Sequence, residues 1–171
     1  MDKIIFTGPM GAGKTTAISS ISDIPPISTE VRCSDDAQLR KETTTVAMDY
    51  GYFSLDDGSR VHLYGTPGQE RFDYMWTILT KGGIGLVLLL DNARPEPLAD
   101  LTFYLDAFKD FIQQTGAVIG VTRMDVSHQT SLDDYRNTLF TRDQIFPVFE
   151  VDARQANDVK ILIHALLAIL Q

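Results

Sequence analysis

The chain has 171 residues, 44% hydrophobic and 22% charged, with a formal net charge of −8 and a pI near 4.7. That is enough for a single domain, residues 1–171, with a full hydrophobic core. It excludes a broad basic face for nucleic acid and charge-driven docking on an anionic membrane. With Cys33 the only cysteine, it also excludes an intrachain disulfide and a cysteine-rich metal site.

Met1–Ile4 runs straight into a strand pattern, which leaves no room for a signal peptide. Asp2 stands where myristoylation needs glycine, and Gln171 ends the chain without a prenylation cysteine. The longest apolar stretch, Ile84–Leu90, is strand-sized and far short of a membrane span. The expectation is a soluble, cytoplasmic protein without a membrane anchor.

In chain order, Lys3–Thr7 is a short apolar strand and Lys14–Ile21 a helix that begins directly after Gly13. Residues 22–45 hold Pro25, Pro26 and a polar, charged middle, and read as a long irregular segment. Val46–Leu55 and Ser59–Tyr64 flank Asp56-Asp57-Gly58, the signature of a hairpin. Leu86–Leu90 is a buried central strand. Leu98, Leu101, Leu105, Phe108 and Ile112 then recur at helical spacing, so Leu98–Thr115 is expected as one helix that stops at Gly116. Ala117–Thr122 is a buried strand, Leu132–Phe140 a short helix, Ile145–Val151 a strand made an edge or a start by Pro147, and Val159–Leu170 a closing helix. Such alternation implies a mostly parallel sheet of six strands with one antiparallel edge hairpin and helices on both faces. Ligands of such sheets sit beyond the carboxyl ends of the strands, and the first such end is Gly8.

Gly8-Pro9-Met10-Gly11-Ala12-Gly13-Lys14-Thr15 fits G-x-x-x-x-G-K-[ST] without a mismatch, with a strand before it and a helix after. Glycines let the backbone close around phosphate oxygens; Lys14 reaches the β- and γ-phosphates, and the Thr15 hydroxyl ligates Mg²⁺. Met10, Gly11, Ala12, Gly13, Lys14, Thr15 and Thr16 are the expected phosphate-side contacts. The alternative, a plain glycine turn, does not account for this context.

Four more segments follow: Lys41–Asp49, Tyr64–Phe72, Val121–Asp125 and Val151–Arg154. With the P-loop they stand in the order found in Ras-like small GTPases. The chain resembles that family over nearly its whole length, in detail most like the bacterial small GTPases of the gliding-motility type. The resemblance implies a P-loop G domain that binds GTP and GDP with Mg²⁺. In the first segment it implies that Thr45, with Thr44 second, closes the first switch loop on Mg²⁺ and the γ-phosphate; the bland reading is a threonine-rich strand entry. In the second, Gly68 would offer its N–H to the γ-phosphate and Gln69 would orient the attacking water, making Gln69, Lys14 and Gly68 the catalytic set. Gly65 departs from the pattern, since the family has there the Asp linked to Mg²⁺. In the third, Asp125 would accept guanine N1–H and N2–H₂, with Arg123 lying over the base. Thr122 replaces Asn and is expected to lose a loop-to-loop bond; a capping Asp is the plain alternative for Asp125. In the fourth, Asp152-Ala153-Arg154 resembles the turn whose Ala N–H meets guanine O6.

Other residues have plainer readings. Met10 is taken as a packing residue, the rival being an obstruction to a partner's arginine. Phe72 and Trp76 are taken as packing residues, with a partner surface as the alternative. His62 is a sheet residue, and His128 and His164 fall in no ligand pattern. Arg40, Arg60 and Arg71 are all candidates for a cis arginine.

The leading expectation is a GTP-binding switch with slow intrinsic hydrolysis, read by effector and GTPase-activating or exchange proteins; the resemblance points to a roadblock-type partner. A non-cycling guanine-nucleotide scaffold is the first alternative. A P-loop ATPase or small kinase with Asp91 as its metal carboxylate is the second, with no arginine-rich lid to support it.

Overall fold

The computed structural model describes residues 2–34, 43–66, 76 and 78–170, with backbone alone for 29–34 and 43–47. Seven strands form one sheet: β1 (Asp2–Thr7), β2 (Ile27–Ser34), β3 (Thr43–Ser54), β4 (Arg60–Gly65), β5 (Gly85–Asp91), β6 (Ala117–Thr122) and β7 (Val148–Glu150). Helices α1 (Lys14–Ile21), α2 (Pro97–Ala107), α3 (Lys109–Gln114), α4 (Leu132–Thr141) and α5 (Ala156–Ile169) accompany them.

The spatial order is β2-β3-β4-β1-β5-β6-β7. Strand β3 is antiparallel to both of its neighbours, and every other pairing is parallel. This is the expected mostly parallel α/β sheet with an antiparallel edge, with seven strands in place of six. The added strand is β2, inside the segment expected to be irregular. Its residues Ile27, Thr29, Val31 and Cys33 alternate with polar ones, but β2 also needs the partner that β3 supplies from Thr43 to Tyr50.

Period-two alternation divides the core into two layers. Ile4, Phe6, Val87, Leu89 and Val118 pack with α1 and α5 through Ile18, Val159, Leu162 and Leu166. Ile5, Leu86, Leu88, Leu90 and Ile119 pack on the other face with Leu101, Tyr104, Leu105, Tyr135 and Leu139. Fully burying each such side chain stabilises the fold by about 1.5–3 kcal/mol. Trp76 is buried and stacks on Tyr104 and Phe108, with ring centroids 5.3 and 4.9 Å apart, so it packs the core and forms no partner surface.

The expected helix over Leu98–Thr115 is two. Phe108, at φ −103° and ψ 17°, ends α2 and caps α3. The apolar stripe persists across that break, because Leu101, Leu105, Phe108 and Ile112 are all buried. Strand β7 starts directly after Pro147, whose missing N–H cannot join a ladder. The sheet thereby brings the ends of β1, β4, β5, β6 and β7 to one edge of the molecule. Among the described residues no helix is long and apolar enough to cross a membrane.

Candidate functional site

A cavity of about 960 Å³ opens at the carboxyl ends of these strands, at the upper end of the range that encloses small-molecule ligands. Its floor is the P-loop, from Met10 to Thr16. Gly8 leaves β1 at φ 142°, and a Cβ there would sit 2.0 Å from the Leu89 carbonyl oxygen, so only glycine fits. Gly13 has left-handed backbone and starts α1, which aims the free N–H groups of the helix start at the cavity. Met10 is 58% exposed at the cavity rim, which corrects the packing reading: the apex of the loop offers no core to pack into.

Lys14 is buried and donates to the Gly8 and Pro9 carbonyls at 2.6 and 2.9 Å. Burial pushes its ammonium down to about 8; Asp49 opposes that shift and Arg94 adds to it. The Thr15 hydroxyl donates to Asp49 Oδ2. Asp49 stands on β3 directly opposite Gly65 on β4, and both line the cavity. A Cβ placed on Gly65 would lie 3.4 Å from the Asp49 Cβ and 3.7 Å from its Oδ2. The carboxylate of Asp49 thus occupies the space a side chain at position 65 would enter. Asp49 is a candidate site residue that motif matching misses, because it comes from a different strand. The signal was present: one acidic residue in the otherwise uncharged run 43–55, on a strand that pairs with the one ending at Gly65.

Asp91, the rival for that role, is turned away from it. Its Oδ1 accepts the Ala93 N–H at 2.9 Å and its Oδ2 lies 3.6 Å from the Arg123 guanidinium. It is absent from the cavity lining.

At the other end of the cavity, the Thr122 hydroxyl is buried within 3.2 Å of both the Ala12 and Leu90 carbonyls. The expected loss of a loop-to-loop bond is therefore corrected: a short side chain suffices, because β6 ends beside the P-loop. Arg123 takes left-handed backbone, φ 58°, and lines the cavity with Asp125. Helix α4 is capped by Ser131 with Asp134 in a reciprocal box, so Asp125 is not its cap. The Asp152-Ala153-Arg154 turn closes the wall. Its Asp152 N–H donates to Asp158 at 2.8 Å, and the Ala153 Cβ would lie 3.0 Å from one added to Gly13. Arg154 grips Asp152 with two side-chain hydrogen bonds of 2.9 Å, which hold that carboxyl below its usual range.

Thr45 lies within β3, opposite Arg32, and is not on a loop. Four residues of strand, roughly 13 Å, separate it from Asp49. Gly68 and Gln69 fall outside the described residues, as do Arg40 and Arg71. Arg60 begins β4, at the end remote from Gly65, and lies 4.2 Å over the Tyr52 ring, so it is no cis arginine here. His62 is a half-buried sheet residue with Nδ1 2.6 Å from the Tyr50 hydroxyl. Among the described residues no group of three or more His, Cys, Asp or Glu is placed to hold a metal ion.

The site chemistry is thus an anion cradle with one cation and a hydroxyl–carboxylate pair, continuous with a wall carrying Arg123, Asp125 and Arg154. Comparison with known proteins gives three findings. A family model described as a conserved hypothetical ATP binding protein matches residues 27–164. An uncharacterised protein of Methanocaldococcus jannaschii is 28% identical over 92 residues, which cover 54% of this chain and 52% of that protein. The chain thus spans about half the length of that archaeal relative. The Ras-related proteins Rab-13 of Canis lupus familiaris and Rab-3D of Homo sapiens are 22% and 23% identical over 166 and 164 residues. They match 92% and 94% of this chain, and 73% and 69% of their own lengths.

Proposed function

The chain belongs to the family described as conserved hypothetical ATP binding proteins, and from that premise we propose that it is a guanine-nucleotide-binding switch with slow GTP hydrolysis. The observation that carries this reading is Asp125 in the wall of the cavity whose floor is the P-loop. A carboxylate there accepts the paired N1–H and N2–H₂ of guanine, whereas adenine offers no such pair of donors. The family description speaks for adenine and the Ras-related likeness for guanine; the acceptor-only Asp125 favours guanine.

The phosphates would lie on the P-loop amides, with Lys14 against the β- and γ-oxygens. Thr15 and Asp49 are hard oxygen donors that fit Mg²⁺. When bound, the ion would neutralise charge developing between the β- and γ-phosphates. The carboxylate that Gly65 lacks would then come from Asp49. Gln69 would align water, and Gly68 and Thr45 would sense the γ-phosphate. For Thr45 to arrive, the β2–β3 ladder above Asp49 must open. That ladder is also the observation that favours the second reading, a non-cycling nucleotide scaffold. Phosphate release over many turnovers separates the two: a rate above buffer supports the switch, and none supports the scaffold.

Effectors and regulators, a roadblock-type protein among them, would read the segments around Thr45 and Gln69. The gliding-motility assignment rests on the resemblance of the motif segments. The base is tested by displacing labelled GTP with excess ATP. The reading predicts no displacement by ATP and full displacement by GDP; displacement by ATP that is unaltered in Asp125→Ala contradicts it.

A further inference from the structure

Asp91 has no place in phosphate or metal binding, yet it is a buried carboxylate at the edge of the site. Its side chain is 7% exposed, and the Arg123 guanidinium facing it is 56% exposed. One oxygen is committed to the Ala93 N–H, which fixes the carboxylate on the turn after β5. The other is presented to Arg123. The strands place the two together: Asp91 is opposite Thr122 in the β5–β6 ladder, and the Asn92 N–H donates to the Thr122 carbonyl at 2.9 Å. The Arg123 carbonyl in turn accepts from the Val126 N–H at 3.1 Å, so its backbone is held from both sides. A guanidinium is planar and weakly hydrated, and it stacks on ring systems. A long arginine at a cavity mouth has many rotamers to lose on doing so, and a fixed carboxylate reduces that loss.

We propose that Asp91 is a positioning residue for the nucleotide base, holding the Arg123 guanidinium beside Asp125 so that it stacks on the purine plane. This rests on the nucleotide-binding reading above. Asp125 selects the base by its donors, while the Asp91–Arg123 pair retains any purine by its face. The pair therefore acts on residence time and leaves selection between bases to Asp125.

The test is the dissociation rate of GDP and IDP carrying an N-methylanthraniloyl label on the ribose, measured on the whole chain with Mg²⁺. Asp91→Asn keeps the acceptor for Ala93 and the side-chain volume. Should it melt well below the unaltered protein, Asp91→Ser keeps the acceptor and replaces it. Losing the held stack is expected to speed release about fivefold to tenfold, by equal factors for GDP and IDP. Arg123→Ala is expected to release at least as fast, and the double variant no faster than Arg123→Ala alone. A double variant whose factor is the product of the two singles overturns the inference, because Asp91 then acts without Arg123. So does an Asp91 variant with an unchanged rate. If the unaltered chain fails to bind labelled GDP, the nucleotide reading itself falls, and the inference with it; failure of the variants alone leaves that reading standing.

Discussion

On the proposed reading, the phosphate end and the base end of the cavity each lack a side chain that the Ras-like pattern supplies, and they make up the loss differently. At the base end the substitutes stand in place: Thr122 reaches the P-loop carbonyl of Ala12, and Arg123 lines the wall beside Asp125. At the phosphate end the substitute comes from another strand, as Asp49 reaches Thr15 from β3 across from Gly65. Antiparallel register makes that exchange possible, since it sets Asp49 directly opposite Gly65, with its Cβ 3.4 Å from where one at position 65 would lie. A site is a set of positions in space, and only some of them must come from a fixed place in the sequence.

The comparison can be broken most severely at Asp125. Asp125→Ala should weaken GTP and GDP at least about 100-fold, because two charge-assisted hydrogen bonds are lost and two base donors are left unpaired. Equilibrium titration with labelled GDP measures it, and an equal loss for ATP and GTP would show that base selection lies elsewhere.

A smaller effect separates the ends by pH. Lys14, held at about 8 by burial, must be an ammonium to bind phosphate. Nucleotide affinity should be flat below about pH 7.5 and fall as pH rises through 8, by up to about tenfold per pH unit. The empty protein should respond in the opposite sense. Its folded-state Lys14 releases a proton that the unfolded chain keeps up to about 10.5, so its stability rises between pH 8 and 10.5. Thermal melts with and without GDP from pH 7 to 10 check both signs.

The smallest effect sits at the joint between the ends. Thr122→Val removes a hydroxyl while keeping its shape and leaves the Ala12 carbonyl without that donor. A loss of about 1–2 kcal/mol in stability is expected, read from denaturant unfolding of the empty protein.

How much was legible follows the same division. The P-loop and α1 depend on local rules, and Lys14–Ile21 is a helix in sequence and structure alike. The hairpin around Asp56-Asp57-Gly58 is local too. Strand β2 was not legible, because its polar residues become a strand only when β3 lies beside them. Nor was the break at Phe108, where the apolar stripe runs on although the helix does not. Asp49 combined both difficulties. Its proposed role depends on a register between strands, whereas the sequence motif places the carboxylate at position 65. Asp91 looked eligible because it ends a central strand, and only its contacts with Ala93 and Arg123 withdraw it.

Magnesium titration of labelled-GDP retention in the unaltered chain, in Asp49→Ala and in the exchange variant Asp49→Ala/Gly65→Asp tests the central claim most directly. Position 65 can take the side chain: the nearest atoms to its Cβ would be the flexible end of Ile18, at 3.2 Å, and the Asp49 Cβ, at 3.4 Å, which alanine keeps, while the carboxylate oxygen at 3.7 Å is removed. The account predicts that Asp49→Ala needs about 10–100-fold more Mg²⁺ for half-retention, and that restoring an aspartate at position 65 recovers most of it. An Asp49→Ala variant with an unchanged magnesium requirement would contradict the account.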